Sequence, residues 1–191
     1  MWMLVVPSED TLQTRDARIE GLLAGMADGD REALGKLYEL IKTDLYAFAL
    51  SRGISRTDAE DLMHDTFVAI FRAAPQYRPM GKPMAWILTV EHNLIRRSYR
   101  AAPTVSYEEA VGEDTEASDT EEVVAKRELL RTLLATLGEG EREVVILHAV
   151  TGLRHREIAA LLGRSLSGVL STYNRAIKKL QKKLTEGGEA P

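Results

Sequence analysis

Residues His155 to Leu180 read HREIAALLGRSLSGVLSTYNRAIKKL. Ile158, Leu161 and Leu162 make a short apolar face at helical spacing, and Gly163 breaks it. Ser165 or Ser167 then offers a hydroxyl to cap a second helix. Along that helix apolar residues recur at Val169, Tyr173, Ala176, Ile177, Leu180 and Leu184. Ala159 falls where the two helices must approach, a place for a small side chain. A short helix, a tight turn with Gly and a second helix outline a helix-turn-helix. The same outline fits an αα-hairpin of any helical bundle, so the spacing alone leaves both readings open. The residues opposite the stripe favour DNA. Ser171, Thr172, Arg175, Lys178, Lys179, Lys182 and Lys183 can neutralise phosphates and donate to base edges, although a solvated lysine face is common on surface helices.

Composition narrows the class. The chain has 191 residues, 45% of them hydrophobic, enough for one medium or two small soluble domains. It has no cysteine, which excludes a disulfide scaffold, a thiolate metal site and a Cys nucleophile, and fits a reducing compartment. No apolar run approaches membrane-spanning length. The opening MWMLVVPSED lacks the basic region of a signal peptide. A cytoplasmic protein without membrane insertion is expected.

A net charge of −4 is unusual for a DNA binder, but the charge is unevenly spread. Residues 101–125, AAPTVSYEEAVGEDTEASDTEEVVA, carry eight acidic residues and no basic one. The rest of the chain carries 25 Lys and Arg against 21 Asp and Glu. The local field decides binding. This segment is too poor in large apolar residues to bury much surface, so it reads as a mobile acidic linker that limits non-specific DNA binding by the free protein.

The linker separates two helical lobes, 16–100 and 126–184, giving an all-α protein of two small domains. In the first, Ile19, Leu22, Leu23 and Met26 form one stripe. Asp30 caps a second helix with Leu34, Leu37, Leu40, Ile41, Leu45 and Phe48, and Gly53 ends it. Ser55 or Thr57 starts a third that buries Ala59, Leu62, Phe67, Ile70 and Phe71. PMAWILTVEHNLIRRSYR forms the fourth. The second lobe holds helices at Lys126–Leu137 and Glu141–Val150, then the pair above.

Four runs in this order resemble the extracytoplasmic-function (ECF) sigma factors of bacterial RNA polymerase. They are GDREALGKLYELI, DAEDLMHDTFVAIFR, KPMAWILTVEHNLIRR and the C-terminal pair that follows LGEGEREVVILHAVTGLRHREIA. The resemblance implies a promoter-specificity subunit. Its first domain would bind the clamp of core RNA polymerase and open the −10 element. Its second would bind the flap and read the −35 element, with the linker threading the polymerase channel. It also implies an anti-sigma partner. No catalytic residue, cofactor or metal is expected.

Residue by residue, the resemblance assigns Asp58, Asp61, Leu62, His64 and Asp65 to the clamp, an acidic face with one apolar anchor. It assigns Lys82, His92, Asn93, Arg96, Arg97 and Arg100 to −10 DNA, with Asn93 on an exposed base and Lys82 and Arg96 on the backbone. Trp86 reads as core. Arg164, Ser165, Ser167, Ser171, Thr172, Arg175, Lys178 and Lys179 face the −35 element. Asp61 and His64 also have a carboxylate-x-x-His metal spacing. There is no second copy, and His92, His148 and His155 lie in unrelated sequence contexts. No Ser–His–Asp set or P-loop is present.

The sequence departs from the family at Glu91-His92, where Ala-Arg is usual, at Arg97, where Asp is frequent, and at Gly138, where Pro is usual. In the recognition helix Leu170 and Thr172 stand where the family has basic residues. Two other readings stay open: a stand-alone helix-turn-helix regulator, and a degenerate sigma-like chain that binds core or an anti-sigma factor without initiating. Each lost phosphate contact weakens binding and flattens its salt dependence. Transcription should therefore depend weakly on the −35 element. Substitution of each promoter element in turn checks this, and collapse on −35 substitution with −10 substitution tolerated would contradict it.

Overall fold

In this computed structural model, residues 9–99, 106–107 and 121–187 are described. Eight α-helices account for most of them: α1 Glu9–Ala27, α2 Arg31–Ser51, α3 Arg56–Ala73, α4 Pro83–Leu94, α5 Glu121–Ala135, α6 Glu139–Ala149, α7 His155–Leu162 and α8 Leu166–Gly187. No strand occurs among the described residues. Residues 1–8, 100–105, 108–120 and 188–191 lie outside the description, and with them Arg100 and most of the acidic segment.

Local chemistry sets the helix ends. Asp30 accepts the N–H groups of Glu32 at 2.8 Å and Ala33 at 3.3 Å, so two of α2's orphan donors are satisfied. Ser55, not Thr57, caps α3 by accepting the Asp58 N–H at 3.3 Å. Gly53 closes α2 with φ 69°, a backbone state that favours glycine. Pro83 opens α4 at the position where a missing N–H costs nothing. α4 then passes into one π-helical turn, Ile95–Tyr99.

α1 to α4 close on one core. Ile19 and Leu23 meet Leu37, Ile41, Leu45 and Phe48 of α2, Leu62 and Ile70 of α3, and Ile87 and Leu88 of α4, all without exposed surface. Each such side chain contributes about 1.5–3 kcal/mol of burial. Trp86 is half-buried, its ring 5.0 Å from that of Tyr77. Tyr77 donates to Glu20 at 2.9 Å, and the Gly81 N–H bonds the same carboxylate oxygen, which fixes the loop ahead of Lys82. The second domain buries Leu134 and Leu137 with Val144, Leu147, Ile158, Val169, Ala176 and Leu180.

Several expectations are corrected. α1 begins at Glu9, upstream of Asp16, and half-buried Leu12 in the added turns lies against Gly152 of the second domain. Gly152 has φ +76° there, so it is glycine for backbone as well as space. Residues 121–125 are helical rather than linker. Tyr107, placed in a mobile segment, is buried with the Arg142 guanidinium 4.2 Å from its ring centre. Leu184 is exposed, so the buried stripe of α8 ends at Leu180. Phe71 is only partly buried.

Glu91 of α4 is fully buried and neither carboxylate oxygen has a hydrogen-bond partner. Burial, and then the Asp44 carboxylate, push its pKa well above the usual range. The folded state thus holds a proton that the unfolded chain releases at ordinary carboxylate pH. Its stability contribution is complete below the unfolded pKa and is lost as pH rises toward the folded one. Glu91→Gln should flatten the dependence of Tm on pH between about pH 5 and about pH 8. Glu91→Met should raise Tm at about pH 8 by several degrees, corresponding to about 1 kcal/mol or more of relieved polar burial. Thermal denaturation across pH checks both.

Candidate DNA and polymerase interfaces

The second domain contains the helix-turn-helix expected from its sequence. α7 ends at Gly163, which is left-handed at φ 63° and ψ 32°, and the Arg164 N–H bonds the Ala159 carbonyl at 2.9 Å. This turn is short because Gly163 reverses the chain in one residue. Ser165 caps α8 by accepting the Gly168 N–H at 3.1 Å, and Ser167 is its exposed neighbour. Ala159 is buried, as the close approach of the helices requires.

Three aromatic rings hold α8 against the other helices. Tyr173 lies 5.0 Å from His148 of α6 and 4.8 Å from His155 of α7, and the two histidines are 4.2 Å apart. The structure therefore joins histidines whose sequence contexts are unrelated. His148 Nδ1 is 2.8 Å from the Leu153 carbonyl. Burial, with His148 beside it, lowers the pKa of His155 and favours its neutral form.

The cations of α8 divide into two groups. Lys179 donates to Glu141 at 2.7 Å and Arg175 lies 3.6 Å from the same carboxylate. Burial would raise the pKa of Glu141, but Lys179, the Gly138 N–H and Arg175 together lower it. These two cations thus turn toward α6. Lys178, Ser171 and Ser167 are exposed, and Thr172 is half-buried with its hydroxyl 3.4 Å from Arg175. Leu166 and Leu170 are also exposed, as is Asn174; none of the three was assigned from sequence. The available signal was the helical period, which puts Leu170 about 100° round the helix from buried Val169.

In the first domain Asn93, Arg96 and Arg97 are exposed at the end of α4 and in the π-turn. Their helix is held by Ile87, Leu88 and Glu91 on its inner face. His92 differs from expectation. It stacks on Phe48 at 6.4 Å and its Nδ1 is enclosed without a partner. Burial, then Arg52 and Arg96, depress its pKa and disfavour its charged form. Arg100 lies outside the described residues.

On α3, Asp61, His64 and Asp65 are exposed, whereas Asp58 is half-buried and accepts the Ser55 hydroxyl at 2.7 Å. Leu62 is corrected. It has no exposed surface and belongs to the core, so it cannot anchor a partner. Val68, 36% exposed one turn beyond His64, is the apolar residue on that face. Its position at i+4 from His64 was the overlooked signal.

The two domains meet through charge. Glu143 of α6 is fully buried and accepts from Arg52, at the end of α2, at 2.8 Å and from Arg164, before α8, at 3.3 Å. Burial outweighs both arginines and raises its pKa. Lys82 lies 3.6 Å from Glu157 of α7. Between them runs a cavity of about 180 Å³ lined by Leu12, Arg15, Asp16, Arg154 and Glu157 among others. Of the residues assigned to DNA, Lys82, Arg164, Arg175 and Lys179 are therefore held by internal carboxylates.

Two family descriptions match the chain: sigma-70 region 2 over residues 37–103 and sigma-70 region 4 over residues 127–180. The RNA polymerase sigma factor CnrH of Cupriavidus metallidurans is 33% identical over 88% of this chain and 95% of its own. The chain belongs to the ECF sigma factors. It is a promoter-recognising sigma subunit. The ECF sigma factor SigD of Mycobacterium tuberculosis is 27% identical over 90% of this chain and 86% of its own. A solved structure of CnrH in complex with the cytosolic domain of CnrY matches with a TM-score of 0.60 and 31% identity, covering 88% of this chain and 98% of that one. No helix among the described residues is long and apolar enough to cross a membrane.

The buried charge at the interface makes a prediction for this sigma factor. Arg52→Ala withdraws one of the two cations that hold the fully buried Glu143 carboxylate and leaves that charge under-compensated. The expected loss is about 2–4 kcal/mol of stability, with an increased radius of gyration as the domains separate. Denaturant melts and small-angle scattering check the two effects.

Proposed function

We propose that the first domain holds the clamp of core RNA polymerase with the outer face of α3, through Asp61, His64, Asp65 and Val68. The same domain engages the −10 element as single strand through Asn93, Arg96 and Arg97. The second domain docks on the flap and presents α8 to the −35 element. We take the units as 16–100 and 126–184 joined by the acidic segment, with helix extending the first to Glu9 and the second to Glu121. The protein works in the cytoplasm beside RNA polymerase, as a transcription initiation factor without a cofactor. An anti-sigma factor holds it when it is not needed, by analogy with CnrH, which was solved with the cytosolic domain of CnrY.

One observation carries the reading. Asn93, Arg96 and Arg97 project from a helix end whose opposite face is locked into the core. Amide and guanidinium groups on a rigid support suit unpaired bases and phosphates. Such groups also read duplex base edges, so the transcription assay, not the side chains alone, separates this reading from a duplex-binding regulator.

Run-off transcription from a genomic-fragment library, with core polymerase and the full chain, tests it. Discrete new start sites that require the protein are expected. Asn93→Ala should lower their yield about tenfold, about 1.4 kcal/mol, while core binding is unchanged. Asp61→Arg should instead weaken core binding about tenfold. Core binding without any start would establish the degenerate reading, and tight duplex binding without core binding the stand-alone regulator.

A further inference from the structure

The first two turns of α8 carry a surface that the assigned contacts do not use. Leu166 is 46% exposed and Leu170 is 40% exposed, one helical turn apart. Ser167, Ser171 and Asn174 are exposed beside them. Single exposed leucines need no explanation. These two are adjacent, and they stay open although the two domains are packed together. They also occupy the part of a helix-turn-helix that meets base edges, the N-terminal residues of the second helix.

Surrounding charge identifies what covers them. Lys178, Lys182 and Lys183 follow on exposed positions of the same helix. A partner that suits this surface is polyanionic and offers a small apolar group within reach of the leucines. Duplex DNA meets both conditions at one base only. Thymine's C5 methyl is the apolar group that the major groove displays. Four residues of helix rise about 6 Å, close to two base-pair steps of about 3.4 Å. The serines and Asn174 supply hydrogen bonds to neighbouring base edges.

We propose that Leu170, with Leu166 beside it, reads thymine in the upstream promoter element by packing on the C5 methyl group. The inference rests on the proposed placement of α8 at the −35 element. It also gives a use to a position where charge is missing. Leu170 contributes no phosphate contact, but it adds a contact that is sensitive to sequence and insensitive to salt.

The test uses core polymerase, the full chain and a promoter with a fixed downstream element and a randomised upstream duplex. Transcribed molecules are selected and sequenced. Each enriched thymine is then replaced in turn by 2′-deoxyuridine, which removes only the methyl group. Thymine should be enriched at one or two positions. Deoxyuridine there should lower transcription about fourfold, the effect of burying one methyl-sized group. For Leu170→Ala, whose surface position leaves folding intact, the same replacement should have no effect. Leu170→Met should retain the methyl response. Three results overturn the inference while leaving the sigma reading intact, because discrete starts still form: no enrichment of any upstream base, enrichment without thymine, or an equal deoxyuridine effect in Leu170→Ala. Absence of any discrete start, from this promoter or from genomic fragments, overturns the sigma reading and the inference together.

Discussion

One carboxylate with no exposed surface, Glu143, accepts charge-assisted hydrogen bonds from both halves of the molecule. An isolated buried charge is costly, so Glu143 is tolerable only while Arg52 and Arg164 are both in reach. Arg52 is supplied by the end of α2 and Arg164 by the turn that opens α8. The relative placement of the two domains, the closeness of Leu12 to Gly152 and the pairing of Lys82 with Glu157 all depend on this arrangement.

Its second effect is electrostatic. The residues best suited to phosphate are already neutralised inside the protein, by Glu141, Glu143 and Glu157. Any outside anion would have to compete with these carboxylates for Lys82, Arg164, Arg175 and Lys179. The pairs of Lys82, Arg175 and Lys179 are partly solvated and cost little to break, whereas Arg164 is tied to the fully buried Glu143.

Much of the fold was legible in the sequence because short-range rules govern it. The Asp30 and Ser55 caps, the Gly53 and Gly163 stops and the stripes of α1 and α2 follow from residues within a turn or two of one another. What depended on distant partners was not legible. Leu62 fits both a surface anchor and a core position by spacing, and only the approach of the other three helices decides for the core. His92 reads as a cation until Phe48 and Arg52 close around it. The meeting of His148 with His155, and of Tyr107 with Arg142, needs tertiary packing that no local pattern encodes. In α8 the cations were visible, but the turn of Arg175 and Lys179 toward Glu141 was not; Leu170 was legible as a place without charge, and its exposure beside Leu166 emerged only from the packed helix.

Tyr107 has a consequence for distance. It is buried beneath Arg142, whose guanidinium also donates to the Leu134 and Leu137 carbonyls at 3.0 and 2.8 Å. Between the end of the π-turn at Tyr99 and this anchor the backbone reaches at most about 28 Å. Counted instead to Glu121, where α5 begins, the same tether reaches about 75 Å. Elements centred at −10 and −35 lie about 85 Å apart along B-form DNA. In either case the breadth of the two domains adds to the tether, so the anchor removes about 47 Å of the available span. One aromatic ring under one guanidinium, a contact of about 1 kcal/mol, therefore shortens the covalent path between two domains that the Glu143 contacts already hold together.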